Sequence, residues 1–159
     1  MKTYACVRTD NMSGTVEGKN LVSLKYNGDI ENGSVVKIGD FVDGEREVRG
    51  ATAPAKNDAV RDLALIASPE VIKDKTYHSI ANFINEDGSI CRGYRLTSGD
   101  IFSLTKEGFA SGASLKKGAI VELNGTTKLN AVDAATGTET TVVGKIVLIE
   151  DEWYVIEVA

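Results

Sequence analysis

Residues 140–158, TTVVGKIVLIEDEWYVIEV, contain two apolar runs separated by the acidic residues 150–152. Apolar runs of this length and composition predict strands, and a short acidic segment between them predicts a turn in solvent. In the second run, residues 153–158, successive side chains point to opposite faces of a strand. The stretch therefore predicts a β-hairpin at the carboxyl end of the chain.

The rest of the chain repeats this combination of short apolar runs and turn residues. Strands are predicted at residues 21–26, 35–38, 47–51, 63–67, 89–96, 101–105, 119–123 and 127–132. Asn-Gly and Asp-Gly pairs predict hairpin corners at Gly28, Gly33, Gly44, Gly88 and Gly125, and Gly99 and Gly118 precede strands. No window of a dozen residues has a helical period. We therefore expect a mainly β fold, with one or two small barrel-like or sandwich-like lobes, short helical turns and long loops.

A weak internal repeat indicates how the strands are organised. GSVVKI at 33–38, GDIFSL at 99–104 and GAIVEL at 118–123 share a glycine, two adjacent apolar residues, a polar residue and a final apolar residue. Two adjacent apolar residues predict a strand that is covered on both faces or bent at a bulge. We expect residues 1–20 to form an N-terminal arm or an edge strand, and residues 21–159 to form a β-rich domain of one lobe or two interleaved lobes.

Length and charge exclude several classes of protein. The 159 residues suffice for a core without a disulfide or metal, and one histidine with two cysteines is too few for a structural zinc site. Lys and Arg total 18 against 23 Asp and Glu, and the net charge of −5 argues against duplex DNA or an anionic membrane as partner. The first residues lack a signal-peptide apolar region, so Cys6 and Cys91 are expected to be reduced thiols of a protein made in a cytosol.

The chain carries no recognisable catalytic motif. It has no G-x-S-x-G elbow, and its one histidine, His78, lies in a polar loop, which favours an exposed ring over a general base. A pair of Cys91 and His78 stays open, although a thiol in mid-strand is typical of inert packing. The acidic candidates for paired carboxylates are Asp100, Glu107, Glu122 and residues 150–152. We expect no catalytic, cofactor-binding or metal site, and no enzyme activity.

One segment has a weak likeness to a nucleic-acid-binding signature. Arg92-Gly93-Tyr94 begins like an RNA-binding motif, but Arg95 and Leu96 follow where a small residue and an aromatic are needed. Cross-strand packing of Tyr94 with Phe102 is the favoured interpretation, with the arginines spread over apolar surface or paired with acids.

Four stretches of the sequence resemble a known class of protein. They are LVSLKYNGDIENGSVVKIG at 21–39, NEDGSICRGYRLTSGDIFSLT at 85–105, KKGAIVELNGTTKLNA at 116–131 and WYVIEV at 153–158. Together they are similar to the capsid decoration, or cement, proteins of tailed bacteriophages. The resemblance covers roughly half of the chain, and residues 53–80 have no counterpart in it.

The resemblance implies a non-enzymatic virion protein that binds the outer surface of a capsid and stabilises the shell. Its partner would be the major capsid protein, together with self-association as a trimer or other oligomer, and neither nucleic acid nor a membrane. It would be made in the host cytoplasm and end on the capsid surface. Because the N-terminal segment of such proteins contacts the shell, Tyr4, Val7 and Met12 are the candidate capsid contacts. The alternative for residues 3–8 is an ordinary edge strand.

Three other functions compete with decoration. The first is another β-rich virion component, in the tail or at the head–neck junction. The second is a β-barrel that binds single-stranded nucleic acid, and the third is a hydrolase or other enzyme, for which no motif speaks.

Overall fold

The computed structural model describes residues 3–72, 79–134 and 139–159, and these residues form two β-sheets. The first is a closed barrel of β2 (Leu21–Tyr26), β3 (Val35–Phe41), β4 (Val48–Thr52), β5 (Leu63–Ile66) and β6 (Ile90–Arg95). The second has six strands, β1 (Val7–Asn11), β7 (Ile101–Leu104), β8 (Ile120–Glu122), β9 (Asn130–Val132), β10 (Val142–Glu150) and β11 (Trp153–Val158). The prediction of a mainly β fold with a small barrel is confirmed.

Helical structure in the described residues is limited to short segments. The single α-helix, α1 (Ser13–Val16), follows β1, and three 3-10 turns occupy Val60–Asp62, Ile80–Asn82 and Lys106–Gly108. Each is one turn long, too short to be stable without tertiary contacts. The strands therefore determine the architecture, as the absence of a helical period predicts.

The barrel has the strand order β2-β4-β3-β5-β6 and closes on itself. Its strands pair antiparallel except for β2 and β4, which run parallel from Ser23 opposite Val48 to Tyr26 opposite Ala51. Closure leaves the barrel without a free edge. Its interior is filled by Leu24, Ile30, Val36, Ile38, Ala51, Ala64, Ile66 and Cys91.

The six-stranded sheet has the order β1-β7-β11-β10-β8-β9, so β1 and β9 lie at its edges. One face of the sheet packs against the outside of the barrel and forms a second apolar cluster, which we call the shared core. From the sheet, this core takes Val7, Phe102, Leu104, Val121, Ala131, Val143, Ile146, Ile156 and Val158. From the barrel, it takes Val35, Leu63, Leu65, Tyr94 and Leu96.

The start of β3 and the whole of β5 are buried on both faces because they lie between the barrel interior and the six-stranded sheet. Val35 packs in the shared core, and its neighbour Val36 packs inside the barrel. In β5, Leu63 and Leu65 likewise face the sheet while Ala64 and Ile66 face the interior. This position explains the continuous apolar runs of β3 and β5, and of the two predicted alternatives, coverage on both faces or a bulge, the first holds for Val35-Val36.

The repeated glycines have a common conformation. Gly33, Gly99 and Gly118 have φ of 86°, 89° and 88°, and in each repeat the strand begins two residues later. Positive φ of this size favours glycine, because a Cβ there meets the backbone. The repeat therefore marks a turn that leads into a strand, and it occurs in both sheets.

The predicted hairpin corners divide into two groups. Gly44 and Gly125 lie in connections between antiparallel neighbours, β3 with β4 and β8 with β9. The prediction is wrong at Gly28, Gly33 and Gly88. The segment between β2 and β3 crosses the barrel end instead, where Ile30 pairs with Asn85, and Gly88 follows that pairing. An Asn-Gly or Asp-Gly pair permits a tight turn, but it does not determine that the two strands on either side of it pair with each other.

The hairpin at 140–158 is confirmed, with β10 and β11 paired from Gly144 opposite Val158 to Glu150 opposite Trp153. Asp151, at the tip, has a φ of 55°, which the short turn requires. The acidic residues 150–152 are exposed, as expected for a turn in solvent.

Candidate binding cleft

A cleft of about 620 Å³ lies where the chain leaves β5 and where it approaches β6. Two chain segments form its sides, residues 68–72 and residues 82–90. It is lined by Ser68, Pro69, Val71, Ile72, Asn82, Phe83, Ile84, Asn85, Glu86, Ser89 and Ile90. This volume is within the range of sites that bind small ligands or peptide side chains.

The floor of the cleft is held by three buried polar side chains. Asn32 donates from Nδ2 to the Ser68 carbonyl at 2.9 Å, and its Oδ1 accepts from the Ser68 amide at 3.0 Å. The same Oδ1 accepts from Asn85 Nδ2 at 3.0 Å. All three residues are at most 9% exposed. Because each amide is satisfied by partners on other segments, this Asn32–Ser68–Asn85 network fixes the relative position of three loops.

Backbone hydrogen bonds reinforce the network on both sides. Ile30 and Asn85 exchange two N–H to O bonds of 2.9 Å, and Asn85 Nδ2 also donates to the Ile30 carbonyl at 3.0 Å. Ser68 Oγ accepts from the Arg92 amide at 3.1 Å, which ties the start of one cleft wall to β6. The cleft floor is therefore preorganised by the barrel.

The walls of the cleft present apolar side chains to solvent. Val71 is 70% exposed and Ile90 is 58% exposed. Glu86 is the one charged side chain among the described lining residues, and Glu70, also exposed, adjoins the opposite wall. Large apolar side chains that stay exposed around a rigid concave surface are typical of a binding surface. The acidic rim favours a partner with basic residues.

The structure separates the three candidate capsid contacts. Val7 and Met12 are 8% and 0% exposed, and both pack in the shared core. In this conformation their side chains support the chain's own fold, and they do not present an apolar surface to a partner. Tyr4 is half-buried, and its amide donates to the Ala81 carbonyl at 2.7 Å, next to the cleft wall that begins at Asn82.

The N-terminal segment is attached to both sheets. The Ala5 amide donates to Glu31 Oε2 at 2.8 Å, and the Cys6 amide donates to Thr105 Oγ1 at 3.0 Å. Residues 7–11 then pair with β7 as an edge strand. This segment is an integral part of the fold, since an exposed arm would leave Met12 in water.

The acidic candidates occupy four different elements. Asp100 is buried before β7, where its carboxylate accepts from the amides of Ser13 and Thr97 at 2.9 and 3.3 Å, so it joins α1 to the turn. Glu107 lies in the 3-10 turn after β7, Glu122 is buried in β8, and residues 150–152 form the exposed hairpin tip. The role of Asp100 is to cap a turn and orient α1.

Both thiols are buried, and burial raises both pKa values. The pKa of Cys6 rises from 9.0 to about 11, mainly by desolvation and further through the negative charge of Glu107. The pKa of Cys91 also rises by desolvation, against the opposing effect of hydrogen bonds with Ser89 and Ser68. Protonated thiols are poor nucleophiles. His78, the histidine of the proposed pair with Cys91, lies outside the described residues.

The residues that suggested nucleic-acid binding do not form one surface. Arg92 and Arg95 are three positions apart in the regular strand β6, so they lie on opposite faces of it. Tyr94 and Phe102 are 8% and 1% exposed in the shared core and cannot stack on bases there. The two rings are not cross-strand neighbours, because their strands belong to different sheets, but both pack in the shared core.

Within the described ranges, no three His, Cys, Asp or Glu side chains lie close enough together to hold a metal ion. Over the same ranges, no helix has the length and apolar character needed to cross a bilayer. Comparison of the chain with protein-family models gives no match. Comparison with curated proteins gives no match either.

Sequence reasoning missed the residues that build the cleft. The sequence predicts a turn at Asn32-Gly33, and nothing in it connects Asn32 to Ser68 or Asn85, which are 36 and 53 positions away. The available signal was Val71-Ile72, an apolar pair in an otherwise polar loop after Pro69. Such a pair outside any predicted strand indicates either packing or a contact surface.

Proposed function

We propose that this protein is a non-enzymatic virion structural protein that binds the outer surface of a phage capsid and stabilises the shell. The proposal begins from the resemblance to decoration proteins. The four resembling stretches supply all or part of β2, β3, β6, β7, β8, β9 and β11, which belong to both sheets and meet at the shared core. The resemblance therefore follows the parts of the chain that build the scaffold.

The cleft is the observation that carries a binding role. A rigid floor held by Asn32, Ser68 and Asn85 lies below exposed apolar walls at Val71 and Ile90. Burying apolar side chains contributes about 25 cal/mol per Å², and a preorganised surface loses little conformational entropy on binding. Such a surface is suited to adhesion through shape.

The occupant that we assign to the cleft is an extended segment of the major capsid protein. It would place apolar side chains between Val71 and Ile90 and a Lys or Arg near Glu86 and Glu70, whose charge favours a basic neighbour. Repetition over a symmetric shell multiplies a modest affinity per copy. The protein would be made in the host cytoplasm and function on the capsid surface.

The test is co-sedimentation with capsids of the encoding phage, using Val71→Asp and the matched control Val16→Asp. The two valines are 70% and 72% exposed, and Val16 lies in α1 outside the cleft lining. We expect wild type and Val16→Asp to bind expanded capsids and not procapsids. A buried aspartate in an apolar contact is costly, so Val71→Asp should bind at least about tenfold more weakly.

Two outcomes would separate failure of the function from failure of the cleft. If the wild-type protein neither binds expanded capsids nor occurs in purified virions, the decoration function is wrong. If it binds and Val71→Asp binds equally well, the function stands and the cleft is not the contact. Labelling on tails or at the neck of intact particles would favour the other virion role.

A further inference from the structure

The face of the six-stranded sheet that points away from the barrel carries apolar side chains in solvent. Ile101, Ile120 and Val155 are half-buried there, and Leu148 is 47% exposed. We call this the outer sheet face. The shared core covers the opposite face of the same strands.

The register of the strands arranges this face in rows across the sheet. The longest row runs Val132, Ile120, Lys145, Glu157, Ile101 and Asn11, because each residue pairs directly with the next on the neighbouring strand. Directly paired residues in antiparallel strands point to the same face. The row therefore has a Lys–Glu centre with isoleucine on either side.

The second row follows the same order of strands. It runs Leu148, Val155, Ser103 and Arg8, across β10, β11, β7 and β1. Its two central-strand residues, Leu148 on β10 and Val155 on β11, are both apolar. Across the boundary between β10 and β11, the longest row places Lys145 beside Glu157, which have opposite charges. The second row places Leu148 beside Val155, which are both apolar.

This arrangement is self-complementary about a two-fold axis. The axis would run parallel to the strands, above the boundary between β10 and β11 and midway between two stacked sheets. A rotation of 180° about it places two copies face to face. Lys145 then lies over the partner's Glu157, Ile120 over the partner's Ile101, and Leu148 over the partner's Val155. Stacked sheets are commonly inclined by about 30°, so the pairs nearest the axis make the closest contacts.

We propose that the outer sheet face binds a second copy of this chain in an isologous dimer. The charge pattern selects this occupant, since each lysine in the dimer would lie between two glutamates and each glutamate between two lysines. A partner of one charge sign would leave either Lys145 or Glu157 opposite a like charge. The proposal does not depend on the capsid function, because the cleft lies on the barrel.

Charge reversal tests this arrangement by sedimentation equilibrium of the full chain. Lys145→Glu and Glu157→Lys, each alone, should raise the dimer dissociation constant at least about tenfold, because each brings like charges together across the axis. The double variant, with both changes, should dimerise like the wild type, since the pairing is restored with its signs exchanged. Lys25→Glu, an exposed lysine on β2 of the barrel, is the matched control and should leave the dimer unchanged.

The restored double variant makes the test independent of folding. Far-UV circular dichroism and thermal unfolding should show that all four variants are folded. A wild-type protein that stays monomeric at every accessible concentration would overturn the proposal. So would a folded double variant that stays monomeric, or an oligomer that Lys145→Glu and Lys25→Glu weaken to the same extent.

Discussion

The Cys6 thiol shows what burial at the junction of the two sheets does to one ionisable group. Its backbone joins Thr105, and its side chain is 7% exposed. Desolvation is the largest cause of its raised pKa, and the charges of Glu107, Glu70 and Glu152 add to it. The neutral thiol is therefore the form that the folded state favours, and ionisation of Cys6 destabilises the fold.

The raised pKa predicts a specific dependence of stability on pH. The pKa of the thiol is 9.0 in the unfolded chain and about 11 in the folded protein, so the folded state binds more protons between these values. The contribution of Cys6 is fully present below pH 9 and should be lost by about pH 11, a fall of about 2–3 kcal/mol in the free energy of unfolding.

Urea unfolding of wild type and Cys6→Ala at a series of pH values measures this contribution. Other groups titrate in both proteins, so the difference between the two curves isolates Cys6. The free energy of unfolding of the wild type minus that of Cys6→Ala should be constant below pH 9. Above pH 9 this difference should fall, because only the wild type loses the contribution of Cys6. Parallel curves up to pH 11 would contradict the prediction.

At the scale of elements, β10 depends on a glycine in its first half. Gly144 pairs with Val121 on one side and Val158 on the other, and the register with β8 shifts beside it. A Cβ at this position would lie 2.1 Å from the Glu157 carbonyl oxygen and 2.9 Å from its carbon. Because both contacts are with backbone, the neighbouring strand itself must move to admit a side chain.

Gly144→Ala should therefore destabilise the protein by about 3 kcal/mol, which is near the upper end for overpacked sites. The matched control is Gly88→Ala, where φ is +80° and no atom beyond the two neighbouring residues lies within 4 Å of the added Cβ. That change should cost only the left-handed conformation, about 1–2 kcal/mol. Urea unfolding measures both, and an equal or smaller loss for Gly144→Ala would show that β10 and β11 can separate easily.

At the scale of the whole molecule, the shared core makes the barrel and the sheet one unit. Leu104 on β7 is completely buried in this core, and its side chain occupies the space that a Cβ on Gly33 of the barrel would need. Removing apolar volume here weakens contacts of both sheets at once. We therefore expect a single cooperative unfolding transition.

Leu104→Ala should lower the free energy of unfolding by about 3 kcal/mol, the usual range for a buried leucine being about 2–5. Trp153, the one tryptophan of the sequence, reports on the sheet by fluorescence, and far-UV circular dichroism reports on both sheets. The two signals should shift together in the variant. A fluorescence transition that moves while the dichroism transition divides into two steps would show that the barrel folds separately.

Much of the fold was predictable because strand and turn signals are local. The alternation at 153–158, the acidic hairpin tip at 150–152 and the apolar run at 63–67 each correspond to an observed strand or turn. The adjacent apolar residues Val35-Val36 also predicted a strand covered on both faces or bent at a bulge, and the first of these is observed. These features depend on residues within a few positions of one another, so local propensity and periodicity determine them.

Local composition and periodicity suffice to predict that this chain is built from short strands with glycine-rich entries and no sustained helix. The pairing of the strands, the parallel arrangement of β2 and β4, and the burial of Met12 in the core emerge from the folded chain. So do the cleft and the outer sheet face, since Asn32 reaches Asn85 across 53 positions and Lys145 meets Ile120 and Glu157 from separate strands. The physical reason is that strand pairing and buried amide networks join distant segments, and their partners are selected by the free energy of the whole packed core.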